Sequence, residues 1–341
     1  MKRLASKEAH VGIPRGSRVF CISHKDDADG LASAALVRCA TRCRFALAGY
    51  EDVEKVLADA PRGLDWLVVT DLGLDEKPEL IDDLLARARH MLYVDHHRLL
   101  TKTKRTLRRG NVVTQHSTRD CTSVLVWDYF RKRLPEKAVN LAGYGVMTDP
   151  PVSGLLTREV LLKTSWNLTA YEGHLLALAL SSHKCTNGLR GEIVGRLASL
   201  RMPHEMPAVR RLADEQASQM TAIQRRLYDR AKVKGHVAIA RAGRLALGTS
   251  AELLLGVPNV VASAVYDTAG SAPRTRVSVR GTDECRHHLG RLMLRIGRRV
   301  GGAGGGHMLA AGAMVPTSRL EEFFGLLVKE VGPGRVKARR A

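Results

Sequence analysis

The chain has six cysteines, Cys21, Cys39, Cys43, Cys121, Cys185 and Cys285, and no C-x-x-C pair among them. That excludes a zinc ribbon and a thioredoxin-type redox site. Cys39 and Cys43 stand one helical turn apart, but nothing nearby completes a zinc set, so all six read as buried reduced thiols. Aromatic residues make up only 4% of the chain, too few for a broad base-stacking platform, so any grip on a nucleic acid has to come from backbone electrostatics. Acidic residues are also short, 34 against 54 Lys plus Arg, for a net charge of +20. A polyanion is therefore a better partner than an acidic protein surface. No apolar run approaches a membrane span, and the opening MKRLASKEAHVGIPRGS lacks the apolar core of a signal peptide. The expectation is a cytoplasmic protein with no membrane partner.

What the chain does have is an abrupt change from Met91-Leu92-Tyr93-Val94 to Asp95-His96-His97. A buried strand ending in an acid and two imidazoles delivers polar side chains to a sheet edge. Similar stations occur elsewhere. Strand Arg18–Ser23 runs into His24-Lys25-Asp26-Asp27-Ala28-Asp29-Gly30, and strand Leu64–Thr70 ends on Asp71. Helices are expected over Leu31–Val37, Asp52–Ala60 and Lys77–His90, with strands at Phe45–Ala48 and Asn111–Thr114. Strands alternating with helices at this spacing imply parallel strands joined by crossovers, so the acidic ends share one edge. Ser117-Thr118-Arg119-Asp120 suits the cap of a helix through Val124–Phe130, and a helix Lys137–Met147 stops at Thr148-Asp149-Pro150-Pro151.

Residues from about 152 to 235 are helical in pattern. From Gly235 the period changes to strands at Val237–Ala240, Leu245–Leu247, Val260–Tyr266 and Arg276–Arg280, followed by a helix from about Leu289 to Val300. Gly301-Gly302-Ala303-Gly304-Gly305-Gly306-His307 reads as a loop able to turn its amides toward an anion, with Arg276, Arg280 and Arg298 flanking it. It is neither a Walker loop nor a dinucleotide fingerprint. Ser318-Arg319-Leu320-Glu321 reads as a capping box for a last helix with Leu320, Phe323, Phe324 and Leu327 on its apolar stripe.

Asp and His offer oxygen and imidazole ligands, which suit Mn²⁺ or Mg²⁺ better than a thiolate-loving zinc site. Each acid alone has a structural reading: Asp29 as a cap, Asp71 as a turn residue, Asp149 as a helix end. Apolar strands leading into three of the stations favour the joint, metal-binding reading. Among the other histidines, His183, His204, His236, His287 and His288 show no acidic partner at metal spacing. Ser33, Ser123 and Ser153 lack a triad context.

Together these stations resemble the DHH phosphoesterase superfamily with a C-terminal DHHA1-type domain, over nearly the whole chain. The resemblance implies an α/β fold: a parallel-sheet catalytic domain (17–165), a helical connector (166–235) and a smaller α/β substrate-binding domain (236–333), with a basic lead-in (1–16) and tail (334–341). It implies an active site in the interdomain cleft. It implies two Mn²⁺ or Mg²⁺ ions held by His24, Asp27, Asp29, Asp71, His96 and Asp149, with Asp71 as the bridge and Asp95 either touching metal or orienting a ligand. Asp71, His96 and His97 become the catalytic group, and Arg280, Gly304, Gly305, Gly306 and His307 hold substrate phosphate. Two residues separate His24 from Asp27, an unusual spacing for the family, and Asp26 competes with Asp27 as ligand.

The activity this implies is hydrolysis of single-stranded DNA, RNA or short oligonucleotides to 5′-nucleoside monophosphates, as in RecJ-like or Nrn-like exonucleases and oligoribonucleases. Two alternatives stand beside it: a phosphatase or phosphodiesterase for bisphosphorylated adenosine or dinucleotides, and a silent nucleic-acid-binding replication scaffold. The sequence leaves monomer and homodimer equally open.

Overall fold

The computed structural model describes residues 12–75, 79–149, 153–242, 247–267 and 273–331. Pro150, Pro151, Lys77, Leu245, Ala246, most of the lead-in and the basic tail lie outside them. The chain forms two compact units that divide between Gln216 and Ala217.

The first unit runs β1 (Val19–His24), α1 (Ala28–Thr41), β2 (Arg44–Ala48), α2 (Val53–Asp59), β3 (Leu64–Thr70), α3 (Leu80–Leu85), β4 (Ala88–Asp95), α4 (Thr101–Thr106) and β5 (Val112–His116). Helices follow: α5 (Thr122–Phe130), α6 (Val139–Thr148), α7 (Leu155–Lys163), α8 (Trp166–Ser181), α9 (Asn187–Ala198) and α10 (Pro207–Arg230), whose residues from Ala217 onward belong to the second unit. The five strands are all parallel, in the order β2-β1-β3-β4-β5. The chain leaves β1 first to one side and then to the other, so β1 and β3 flank a topological switch point, where open α/β sheets place their ligand crevice. Apolar side chains cover both faces, as parallel strands require. Cys21, Val68, Leu92 and Val94 pack toward α1, α5 and α6, while Ile22, Leu67, Val69 and Tyr93 face Leu57, Ile81 and Leu84.

Two boundaries differ from the sequence reading. The helix expected over Lys77–His90 is only α3, because Ala88–His90 joins β4; His90 pairs with Trp66 on β3 and their rings stack at 4.9 Å. Residues 166–213, expected in a connector, belong to the first core: Leu175, Leu176, Ala179 and Leu180 of α8, Ile193, Val194 and Leu197 of α9, and Val209, Leu212 and Ala213 of α10 are all buried there. An amphipathic helix gains most of its stability from such packing, so these helices thicken the layer over α1 and α6. The acidic partner not expected for His204 also appears here. Its ring lies against Glu172, a fully buried carboxylate on α8 that also accepts the His204 backbone N–H at 2.9 Å.

The second unit holds β6 (Lys232–Lys234), β7 (Val237–Arg241), α11 (Leu247–Leu254), β8 (Ala262–Asp267), β9 (Arg274–Gly281), α12 (Leu289–Arg299), β10 (Ala303–Gly306), β11 (Ala310–Pro316) and α13 (Leu320–Glu330). Its mixed sheet has the order β10-β11-β9-β8-β7-β6. Leu247, expected in a strand, opens α11. One face of the sheet (Val277, Val279, Ala313, Val315) packs on Leu292, Met293 and Ile296 of α12 and on Phe323, Phe324 and Leu327 of α13. Around β7 and β8 the other face packs on α11 and on Leu227 of α10. The expected Ser318 capping box is replaced by a 3-10 turn, Thr317–Arg319, with Arg319 paired to Glu322 at 2.6 Å.

The glycine run is not a free loop. Ala303–Gly306 is the edge strand β10, paired antiparallel to β11. Its glycines let α12 lie close: a Cβ at Gly304 would come within 2.5 Å of the Met293 carbonyl oxygen, and one on Gly290 within 1.9 Å of the Gly306 oxygen. Gly305 points the other way, into open space. The turn that follows is tied down by the His307 N–H donating to Ala310 O at 2.7 Å.

Candidate metal centre

The C-terminal ends of β1, β3 and β4, with the starts of α1 and α5 and the end of α6, bring seven ligand-bearing residues together. Three overlapping groups form: His24, Asp27 and Asp71; Asp71, His96 and His97; Asp29, His96 and Asp149. Asp71 belongs to two of the groups and His96 to two. Within each group the ligand atoms lie within 4.8 Å of one another.

Each position has a local cause. Asp27 caps α1, taking the Gly30 N–H on Oδ1 at 2.8 Å and offering Oδ2 to His24 Nδ1 at 2.7 Å. Gly30 is required, since a Cβ there would lie 2.4 Å from the His24 carbonyl oxygen. Asp29 points into the first turn of α5, where Thr122 N–H and Ser123 N–H each donate to it at 2.8 Å. It thus does for α5 what Ser117–Asp120 were expected to do; the N-cap itself is Cys121, with no side-chain bond. Asp71 follows the last residue of β3 in the left-handed region at φ 59°, a conformation costing an L-residue about 1 kcal/mol or more that tends to persist where function demands it. Its Oδ1 accepts from the Thr122 hydroxyl at 2.8 Å and lies 3.5 Å from His96 Nε2. His96 Nε2 also meets Asp149 Oδ2 at 3.0 Å.

Of the two roles open to Asp95, metal contact and orientation of a ligand, its hydrogen bonds are those of the second. Asp95 is fully buried and belongs to none of the three groups: Oδ1 accepts from His97 Nδ1 at 2.8 Å and Oδ2 from the Tyr93 hydroxyl at 2.7 Å. It orients His97, which stands in the group with Asp71 and His96. Asp26 is likewise outside them, with its carboxylate 3.6 Å from Arg190 Nη2, whereas Asp27 stands in the group with His24 and Asp71. Arg280, Gly304, Gly305, Gly306 and His307 all lie in the second unit.

Sequence reasoning missed Thr122, Tyr50 and Tyr93. The Tyr50 hydroxyl stands 3.5 Å from His97 Nε2 and accepts the Gly73 N–H at 3.4 Å. Thr122 lies 51 residues from Asp71 in the chain. Only the proximity of one helix start to the strand ends marks it. Thr122→Val is expected to weaken Mn²⁺ binding roughly tenfold and to lower the melting temperature by a few degrees, the effect of losing one hydrogen bond to a buried carboxylate. Isothermal titration beside a melting curve checks this.

The electrostatics are those of a cation site. Burial, and then the neighbouring carboxylates Asp29, Asp27 and Asp95, push the Asp71 carboxyl well above the usual carboxylate range. Burial also raises Asp29, against the pull of His96 and with the help of Asp149. Burial opposes protonation of His96, but the Asp149 hydrogen bond and the charge of Asp29 outweigh it and push the imidazole up to about 9. So many acids in one place, several of them buried, repel one another unless positive charge enters. A divalent cation with oxygen and imidazole preference fits this donor set; no cysteine sulfur is in it.

Residues 233–332 match the DHHA1 domain family. The chain has the DHH–DHHA1 fold. A pGpG-specific phosphodiesterase, PggH from Vibrio cholerae, aligns over 92% of this chain and 98% of its own at 16% identity and TM-score 0.60. The DHH domain of a protein assigned to a family of ribosomal proteins aligns over 93% and 87% at 14% identity and TM-score 0.66. Exonuclease RecJ bound to manganese aligns over 96% and 91% at 16% identity and TM-score 0.57. No curated protein matches the sequence. The centre sits in the first unit, and the glycine strand β10 with Arg280 sits in the stretch that matches the DHHA1 domain family. No helix among the described residues is long and apolar enough to cross a membrane.

Proposed function

We propose that the chain is a divalent-metal phosphodiesterase that hydrolyses single-stranded nucleic acid or short oligonucleotides to 5′-nucleoside monophosphates. The observation that carries this reading is the sharing of Asp71 and His96 among three ligand groups, which suits a pair of adjacent ions. Two such ions, when bound, supply a nucleophilic water at neutral pH and offset the charge that grows on the phosphoryl oxygens.

The chain's own residues have separable tasks. Asp71 faces both His24 with Asp27 and His96 with His97, the place for a carboxylate shared between two positions. Asp29 and Asp149 complete the side nearer α5 and α6. Asp95 accepts the Nδ1 proton of His97 and leaves its Nε2 as the free nitrogen, aimed toward Tyr50. That nitrogen and the Tyr50 hydroxyl would orient a non-bridging phosphate oxygen. The Thr122 hydroxyl keeps Asp71 from turning away. In the second unit, Arg280, the backbone of Gly304–Gly306 and His307 would hold the substrate phosphate.

Charge favours a strand over a dinucleotide, because a dinucleotide offers few phosphates to a surface of +20. The test is hydrolysis of end-labelled RNA and DNA, single strands and dinucleotides, with Mn²⁺. Stepwise release of mononucleotides by the wild type, absent in Asp71→Asn, is the expected result. Cleavage of dinucleotides alone would select the small-nucleotide activity. No cleavage of any substrate, with salt-sensitive strand binding retained, would leave a binding scaffold.

A further inference from the structure

Among the described residues eleven large apolar side chains stand exposed, and five of them, Leu155, Leu162, Trp166, Leu168 and Tyr171, fall within the single stretch 155–171. Scattered surface hydrophobes need no explanation, but a cluster of this kind marks a contact surface. Leu155 and Leu162 are the most exposed of the eleven, at 82% and 81%. Trp66 and Trp127 are buried, whereas Trp166 is open to solvent.

Two helices build this surface, and each already has its inner face filled. In α7, Thr157 and Val160 are buried and Leu156 and Leu161 pack against the first core. Leu155 and Leu162, two turns or about 10.5 Å apart along the axis, look outward from the other side. In α8, Thr169, Glu172, Gly173 and Leu176 face inward, while Leu168 and Tyr171, three residues apart, share the outer side. Only Thr164 and Ser165 separate the helices. Leu162 and Trp166 flank that corner, which joins the two outer faces.

The charge around the surface is of one sign in excess. Arg158 is exposed on the turn between Leu155 and Leu162 and forms no ion pair among the described residues. Lys163 and Arg131 share one carboxylate, Glu159, at 3.9 and 3.6 Å. Arg119 stands at the start of α7, where its guanidinium donates to Ser153 O at 3.1 Å. Glu159 is the sole acid between residues 153 and 171, and the next, Glu172, is buried against His204.

We propose that the outer face of α7 and the start of α8 form a docking surface for an acidic amphipathic helix of another protein. The apolar stripe of that helix, recurring every three to four residues, covers Leu155, Leu162 and Trp166, and its flanking Asp and Glu meet Arg158, Arg119 and Lys163. Trp, Tyr and Arg are the side chains that carry most of the binding energy at protein interfaces. A second copy of this chain fits less well, because it would set the same cations against each other. A nucleic-acid strand would meet the cations but find no flat partner in the leucines. A lipid surface would strip water from Ser165 and Asn167, both exposed, which a protein partner can hydrogen-bond. None of these residues belongs to the ligand groups, so the inference stands or falls apart from the proposed activity.

The experiment titrates the full chain against three fluorescein-labelled synthetic peptides, read by anisotropy. One is a helix with a leucine stripe and glutamate flanks, the second has the same stripe with lysine flanks, and the third is the glutamate peptide in scrambled order. The glutamate helix is expected to bind saturably and the other two roughly tenfold more weakly. Leu155→Ser/Leu162→Ser should weaken the glutamate helix about tenfold or more, the loss expected of buried anchors, and Arg158→Glu should bring the glutamate and lysine helices to similar affinity. Leu294→Ser, at an exposed leucine of α12, is the control and should change little. Every variant should melt within about 2 °C of the wild type, because the substituted side chains lie on the surface. No binding of the glutamate helix, equal binding of both charges by the wild type, an equal loss in Leu294→Ser, or a much lower melting temperature in Leu155→Ser/Leu162→Ser would overturn the proposal. So would a different occupant: a dimer in sedimentation velocity that Leu155→Ser/Leu162→Ser abolishes, phosphatidylglycerol vesicles bound only by the wild type, or oligothymidylate that displaces the peptide.

Discussion

Asp71→Asn is expected to abolish metal binding and lower hydrolysis by about 10³-fold or more, the loss of several kcal/mol of charge stabilisation. In the metal-free state the same change is expected to raise the melting temperature. Two features combine to give this result. The carboxylate is buried among Asp29, Asp27 and Asp95, which push its carboxyl up, so replacing it with a neutral amide of the same shape relieves repulsion. The backbone there is left-handed at φ 59°, a region Asn tolerates at least as well as Asp. Saturating Mn²⁺ has the opposite ranking: at 100 times the dissociation constant it stabilises the wild type by about 2.7 kcal/mol and does nothing for the variant. Thermal melts of both proteins with EDTA and with Mn²⁺ give four numbers, and the two curves should cross. A variant less stable than wild type in EDTA would mean that Asp71 is held by its hydrogen bond to Thr122 more than it is strained.

Gly145→Ala, a substitution within a helix that changes no ligand, is expected to damage the centre almost as severely. A Cβ on Gly145 of α6 would fall 2.1 Å from Asp29 Oδ1 and 2.4 Å from the Ser123 hydroxyl. No rotamer relieves that contact, because Asp29 is pinned by two backbone N–H donors from α5. Overpacking of this kind costs about 1–3 kcal/mol, a fall in melting temperature of roughly 5 °C for a unit of this size, and it turns Asp29 away from His96 and Asp149. Loss of Mn²⁺ affinity in isothermal titration should accompany the lower melting temperature. The internal comparison is Gly191→Ala on α9, where a Cβ would meet nothing within 4 Å. That change should stabilise by about 0.5–1 kcal/mol, through the entropy of the unfolded chain, and leave the metal untouched.

The parts of this molecule legible in the sequence are those written locally. An apolar run ending in His24, Asp71 or Asp95 announces a parallel strand and its sheet edge, because burial on both faces leaves polar residues nowhere else to go. The parts that were not legible depend on contacts between distant residues. Thr122 reaches Asp71, and Asp29 reaches the first turn of α5, only because β1, β3 and two helix starts meet in space. Asp95 has the composition of a ligand and the position of an orienting group, a distinction made by Tyr93 two residues earlier on the same face of β4. The glycine run was read through its freedom of φ; its use is mostly the missing Cβ, which lets α12 settle on β10. Helices α8 and α9 carry ordinary amphipathic patterns, which say that a face is buried without saying against what.

The order of the sheet has a consequence for how the protein comes into being. β1 lies between β2 and β3, and the ligand set begins at His24 but closes only with Asp149, at the end of a helix that follows the last strand. A chain emerging from the ribosome therefore lacks the full ligand set until α6 and the Asp149 that follows it have been made. Under the proposed activity, the growing protein is harmless to the message that encodes it.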